Sequence, residues 1–413
     1  MVKQNLVSKL TPMLAGKDLL SKLEFLPEYD ESIRTADTAT RLMALSDLYS
    51  LYLPSQMSVE IYSRLYLALL QSLQKKQTSL AIQQQMQNYR AIKNQPHSGI
   101  IGGADSFTII GASGIGKSAS ISRAISLITE DGIITLDNPY TTIIPCLTVQ
   151  CPFDSSVKGL LLEILRKVDE RIGSNYYGNA TRLRATTDML IGSVSQVALN
   201  HIGLLIVDEI QNVVNSKNGK SLVGMLTQLI NNSGISICMV GTPESAIFFE
   251  QAMQLARRSV GIQYGGLDYD EFFRYFCEIL FSYQYTKNKS QLTDSITEWL
   301  YEHSAGVISV VVALAHDAQE IAILNGRETL NIETLNMAYQ QRLSLLHGYI
   351  EPTMTRKLMA TEKTKKAPTA RVDADVNIDG KNIVSKLAET ARCQSLDMVT
   401  LLRDYVPIVE VAV

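Results

Sequence analysis

Cysteine is sparse. Five cysteines (Cys146, Cys151, Cys238, Cys277, Cys393) are scattered through 413 residues with no C-x-x-C pair. This argues against a disulfide framework or a zinc site and makes buried free thiols the expectation. Excess basic charge is also missing. The formal net charge is −3, so the chain as a whole has no nucleic-acid signature, and any DNA contact must come from a local basic patch. Long hydrophobic runs are absent too. The longest apolar stretch, Gly306 to Ala315, is too short to span a bilayer. Met1 to Leu6 has no apolar segment of the secretory type, and no internal repeat is visible. These absences predict a cytoplasmic protein with no membrane partner.

What is present is a chain long enough for two or three domains, with 46% apolar residues, typical of globular proteins. Its central stretch is Gly111-Ala112-Ser113-Gly114-Ile115-Gly116-Lys117-Ser118, which fits G-x-x-x-x-G-K-[ST]. Phe107 to Ile110 before it reads as a strand. Ala119 to Thr129 after it reads as a helix, with Ile121, Ile125 and Ile128 at helical spacing. The glycines let backbone N–H groups approach phosphate oxygens, and the helix N-terminus adds partial positive charge. ATP is the expected ligand, held by Gly111, Ser113, Gly114, Ile115, Gly116, Lys117, Ser118 and Ala119. Lys117 is expected at the β- and γ-phosphates, and Ser118 at a Mg²⁺ ion.

A second motif supports the first. Leu204-Leu205-Ile206-Val207 ends in Asp208-Glu209, an apolar strand carrying two acids at its C-terminal edge. Asp208 is expected to hold Mg²⁺ with Ser118, and Glu209 to activate water. Ile235 to Thr242 reads as a further strand. Thr242 suits either a γ-phosphate contact or a strand-end turn before Pro243. Phe248 to Arg258 reads as a helix ending in Arg257-Arg258. Either arginine can serve as a finger to a neighbouring subunit's nucleotide, with Arg258 favoured, or the pair can simply suit a helix C-terminus.

The pattern divides the chain into a helical region (1–95), an α/β P-loop core (96–265), a helical lid (266–350), a basic flexible linker (351–381) and a helical tail (382–413). In the first region one helix is expected over Thr38 to Leu53 and another after Pro54, with Ile61, Leu65, Leu69 and Leu73 on one face. That second helix can be a packing element or a docking arm for another protein. In the core, strands are expected at Thr142 to Val149 and helices at Phe153 to Val168, Asp188 to Asn200 and Gly219 to Asn231, with a polar stretch from Gly173 to Thr187. In the lid, helices are expected at Tyr269–Phe281, Ser290–Ser304, Ser309–Leu324 and Ile332–Leu346.

No L-S-G-G-Q or N-K-x-D segment is present. The adjacent acids, polar strand end, terminal arginine and helical lid together resemble the AAA+ ATPases. Asp208-Glu209-Ile210-Gln211, Val240-Gly241-Thr242-Pro243-Glu244 and Ser304-Ala305-Gly306-Val307-Ile308 look like the D-E-x-Q, G-T/I-P-E and S-x-G-x-I/L segments of the TnsC/TniB group, the MuB-like transposition regulators. The resemblance spans roughly residues 95–345. Val307, Ile308, Ser309 and Val310 depart from the many AAA+ lids that carry a sensor arginine here.

The resemblance implies a switch. ATP between subunits would support a homo-oligomeric ring or helical filament on double-stranded DNA, which recruits a transposase and is loaded by an adaptor of the TniQ or TnsD kind. Hydrolysis would release the subunits. DNA contacts would be to the backbone and independent of sequence, with Lys158, Arg182, Arg184, Lys217 and Lys220 as candidates. Two other readings share the core: an initiator or helicase-loader ATPase, and a STAND-like scaffold ATPase that does not bind DNA.

Overall fold

A computed structural model of the chain describes residues 5–102, 106–129, 132–137, 140–182, 185–213, 219–246 and 259–343. The helix expected over 248–258, the linker 351–381 and the tail 382–413 lie outside these residues.

Six strands form one sheet: β1 (Ser106–Gly111), β2 (Ile134–Asp137), β3 (Tyr140–Gln150), β4 (Ile202–Asp208), β5 (Ser236–Gly241) and β6 (Ser259–Tyr264), in the order β2-β3-β4-β5-β1-β6. Neighbours are parallel except β2 and β3. In register, Ile206 of β4 faces Cys238 of β5, and Ile109 of β1 faces Val240. β4 shows why its sequence is continuously apolar. Leu204 and Ile206 pack into one layer with Phe107, Ile109, Cys238 and Val240. Leu205 and Val207 pack into the other with Leu147, Val149, Ile237 and Met239. The period of two is satisfied on both faces, as in a parallel sheet covered on each side.

Ahead of the sheet come α1 (Gly16–Leu23), α2 (Thr38–Ala44), α3 (Gln56–Lys76) and α4 (Ser79–Ile92). The helix expected to run from Thr38 to Leu53 stops at Ala44. Asp37 caps it by accepting from the Ala39 and Thr40 N–H groups, and a 3-10 turn over Leu45–Tyr49 takes over. The buried Leu45 and Leu48 are three residues apart, which is the 3-10 period. Tyr52 then pairs with Phe25 through two backbone hydrogen bonds of 2.8 and 2.9 Å. Ile61, Leu65, Leu69 and Leu73 of α3 are fully buried in the layer that also holds Ile121 and Ala124 of α5 (Lys117–Ile128). The packing face of α3 is therefore the underside of the sheet.

The opposite layer is built from α6 (Val157–Ile172), α8 (Thr187–His201) and α9 (Gly219–Ser233). α6 starts four residues later than expected because the Ser156 hydroxyl accepts from the Gly159 N–H at 3.1 Å and fixes the helix start. Phe153 is left on the loop, 89% exposed. The stretch read as merely polar contains α7 (Tyr176–Arg182), whose first N–H groups, of Tyr176 and Tyr177, each donate to the Asp169 carboxylate at 2.8 Å. β2 and β6 were not expected either. One has four residues, and the other is interrupted by Gly261.

The four lid helices are α10 (Glu271–Ser282), α11 (Asp294–Ser304), α12 (Ile308–Leu324) and α13 (Ile332–Arg342). Their core, with Phe273, Leu280, Leu300 and Val311, also takes in Leu45, Leu48, Leu51 and Leu53 from the N-terminal region. A buried ion pair helps fasten this junction. Arg41, 1% exposed, donates to both Glu328 carboxylate oxygens at 2.6 and 2.8 Å and to the Tyr285 carbonyl at 3.0 Å. Among the described residues no helix is long and apolar enough to cross a membrane.

The guanidinium of Arg41 holds the Glu328 carboxyl below its ordinary range. A depressed carboxylate stabilises the fold above its unfolded pKa, and that stabilisation is lost as pH falls through the folded pKa. Removing one partner of a buried pair is strongly destabilising, and Arg41→Met should cost about 3 kcal/mol at neutral pH. Thermal melts of wild type and variant should differ at pH 7 and converge towards pH 3. Equal melting temperatures at pH 7 would contradict the role given to the pair.

Candidate nucleotide-binding site

β1, β4 and β5 end at the same edge of the sheet, where the chain leaves β1 in one direction and β5 returns beside it. Ligands of open parallel sheets bind at such a switch point. A cleft of about 290 Å³ lies there. It is lined by Ser113, Gly114, Gly116, Lys117, Ser118 and Ala119 from the loop and α5, by Asp208, Glu209 and Gln211 after β4, by Gly241 and Thr242 after β5, and by Ser309 from the lid.

The loop is shaped by its glycines. Gly114 and Gly116 have φ of +83° and +97°, a region open mainly to glycine. At Gly114 the space is closed as well, since a Cβ there would stand 2.1 Å from Ser309 Oγ. Gly111 and Ile115 sit behind the cleft. The Ile115 side chain is buried in the layer with α3, and a Cβ on Gly111 would meet it at 2.5 Å. Lys117 donates to the carbonyls of Gly111 and Ala112 at 2.7 and 2.9 Å. Burial lowers its pKa, against the opposing effect of the Asp208, Glu209 and Glu244 carboxylates. The cation is thus held at the loop by its own backbone, facing three acids.

Asp208, half-buried at the strand end, accepts from the Glu209 N–H at 2.8 Å. Glu209 follows with φ +58°, a left-handed conformation uncommon outside glycine, and its side chain is exposed. Thr242 does both things its sequence context allows. It lines the cleft, and its carbonyl accepts from the Ser245 N–H and hydroxyl to start the turn. Its side chain also hydrogen-bonds Glu244 and, as the main cause, holds that carboxyl below its usual range.

The donor chemistry suits the expected ligands. The Ser118 hydroxyl and Asp208 carboxylate are hard oxygen donors on one cleft, as Mg²⁺ prefers. No cluster of three or more His, Cys, Asp or Glu side chains poised for a metal exists among the described residues, so a metal here would be completed by phosphate and water oxygens. Paired left-handed glycines, a helix N-terminus and a lysine supply the phosphate side.

The other expected residues are dispersed. Arg257 and Arg258 lie outside the described residues, as do Arg184 and Lys217 and the side chain of Lys220. Lys158 is exposed in the first turn of α6, and Arg182 is exposed at the end of α7. Sequence reasoning did not place Ser309 at the site. Its N–H donates to the Gly114 carbonyl at 3.1 Å, so the first turn of α12 touches the phosphate loop where a sensor arginine was looked for. The signal was the Gly306 break, which fixes where α12 starts.

Residues 100–246 match the family model of an AAA domain. A comparison with curated proteins finds no match. Among solved structures, ORC1 of Aeropyrum pernix, in complex with DNA, is 15% identical over 79% of this chain and 80% of its own, with a TM-score of 0.41. ORC2 of Aeropyrum pernix, in its ADP form, is 15% identical over 63% and 67%, with a TM-score of 0.40. The RuvB Holliday junction branch migration motor of Thermotoga maritima is 10% identical over 83% of each chain, with a TM-score of 0.37. The domain match and the sheet order together make this core an AAA+ P-loop fold.

Gly114→Ala should strain the loop and press on Ser309, weakening ATP binding at least tenfold and costing about 1–3 kcal/mol of stability. Adding Ser309→Ala should recover part of the stability, because the hydroxyl in the way is gone. Calorimetric titration and melting of the single and double variants check this. An unchanged affinity in Gly114→Ala would refute it.

Proposed function

We propose that this chain is a Mg²⁺-dependent ATPase acting as a switch on duplex DNA, a transposition regulator of the TnsC/TniB kind. The observation that carries the reading is the convergence of Lys117, Ser118, Asp208, Glu209 and Thr242 on one cleft. Lys117 would meet the phosphate charge, and Ser118 and Asp208 would hold Mg²⁺. When bound, that ion would neutralise charge on the phosphate oxygens. Glu209, exposed on the cleft, would accept the proton of the attacking water. Thr242 would orient the water or a phosphate oxygen.

The site has a route to the surface. The Cys151 N–H donates to the Asp208 carbonyl at 2.8 Å, the Asn212 amide to the Cys151 carbonyl at 3.0 Å, and the Ser155 hydroxyl to the Asn212 carbonyl at 3.0 Å. The loop bearing the exposed Phe153, next to Lys158, is thereby tied to the segment that bears the acids. We take this loop as the means by which nucleotide state reaches DNA or a neighbouring subunit. Subunits would assemble as a ring or helical filament on double-stranded DNA, with ATP between them and Arg257 or Arg258 supplied across the contact. A transposase and an adaptor of the TniQ or TnsD kind would be the protein partners. DNA binding through Lys158, Arg182, Arg184, Lys217 and Lys220 would be weakened by salt and insensitive to sequence.

Electron microscopy of the purified protein with linear duplex DNA tests this. Oligomers on DNA are expected with ATP and not with ADP. Lys117→Ala should abolish them, and Glu209→Gln should keep them while slowing turnover at least a hundredfold. Nucleotide binding without any DNA-bound oligomer would overturn the DNA reading and favour a scaffold ATPase.

A further inference from the structure

The carboxylate that the ATPase reading makes the base is held by an unusual neighbour. After β4 the chain turns through Glu209 at φ +58° into a short 3-10 turn over Ile210–Val213. The backbone of Glu209 is pinned on both sides, its N–H to Asp208 Oδ1 and its carbonyl to the Asn212 N–H at 3.1 Å. Its side chain is exposed. Among the described residues, the hydrogen bond to its carboxylate comes from the side-chain amide of Gln211, whose Nε2 donates to Glu209 Oε2.

The other end of that amide is unusual as well. Gln211 Oε1 is shut off from solvent and accepts no hydrogen bond among the described residues. A buried, unpaired carbonyl is costly, and such groups call for an explanation. Turning the amide over would leave the same burial and point oxygen at a carboxylate. The charge-assisted N–H···O contact therefore fixes which way the amide faces. The fold makes room for this arrangement. Gly241, at the end of β5, has no Cβ, and one placed there would stand 2.7 Å from Ile210 Cγ2 and 3.1 Å from Gln211 Oε1. Thus the strand end next to Thr242 is glycine where Gln211 lies against it.

We infer that Gln211 is a positioning residue for hydrolysis, which acts through Glu209 by holding its carboxylate towards the cleft. The inference rests on the ATPase reading and adds to it the residue that orients the base. The amide supplies direction without charge. A lysine in its place would pair too strongly with the carboxylate and lower its basicity, and an apolar residue would leave an exposed side chain free to rotate.

The test is steady-state ATPase kinetics on the full chain. Gln211→Met keeps an unbranched side chain of similar length and loses the donor. Its kcat should fall about tenfold, with KM and ATP affinity within twofold of wild type. In a Glu209→Gln background the same change should have no further effect, because residues acting through one group are not additive. A Gln211→Met enzyme with wild-type kcat would overturn the inference while leaving the ATPase reading intact. So would a parallel loss of rate and ATP affinity, which would make Gln211 a structural residue, or a full extra tenfold loss in the Glu209→Gln background. If wild type itself shows no turnover, the ATPase reading fails and the inference falls with it.

Discussion

The site depends on a parallel sheet covered on both faces, with its central strands ending together. β4 can carry Asp208 and Glu209 to the edge beside Lys117 because its four preceding apolar residues are divided between two helical layers and cannot slip in register. A one-residue shift would turn Leu204 and Ile206 into the wrong layer. The packing of a strand thus fixes the position of two acids, and the crossover from β1 fixes the lysine opposite them.

On that frame, the cleft is braced by contacts from distant stretches of the chain. α3 and α5 share one layer of the sheet, so the N-terminal region is part of the packing beneath the phosphate loop. The Arg41–Glu328 pair and the leucines of residues 45–53 join the same region to the lid. Ser309 then joins the lid to Gly114. Changes at the phosphate loop can pass to the lid through a backbone hydrogen bond, and from the lid to the N-terminal helices through a buried ion pair. A coupling of this sort suits a protein whose nucleotide state is read by partners, and it is built without an arginine at the start of α12.

Much of this was legible in the sequence. Gly111 to Ser118 and Leu204 to Glu209 gave the loop, the strand and the acidic edge because each sets polar or glycine residues at fixed positions directly after a short continuous apolar run. The four lid helices were visible as well, within a few residues at their ends. What could not be read has physical causes. The start of α7 is made by Asp169, seven residues earlier, and the early end of α2 by a change of helical period. β2 alternates only over Ile134 to Asp137, too few residues to mark a strand, and in β6 the alternation of Val260, Ile262 and Tyr264 is interrupted by Gly261. Ser309 reaches the loop through a contact between segments almost two hundred residues apart, its N–H donating to the Gly114 carbonyl. Gln211 was seen as part of a motif, but its contact with Glu209 follows from a left-handed residue that no propensity would suggest. Two clefts larger than the nucleotide site, found among the described residues beside Lys76 and His201 and beside His97 and Asn232, had no sequence signature.

The claim on which the account stands is that Lys117, Ser118 and Asp208 hold a magnesium nucleotide. Calorimetric titration of the purified chain with ATP, in Mg²⁺ and again with the metal chelated, measures it directly. The account predicts saturable binding near one nucleotide per chain that weakens at least tenfold when Mg²⁺ is removed. Equal binding with and without the metal would show that Ser118 and Asp208 do not form a metal site. No binding in either condition would contradict the account as a whole.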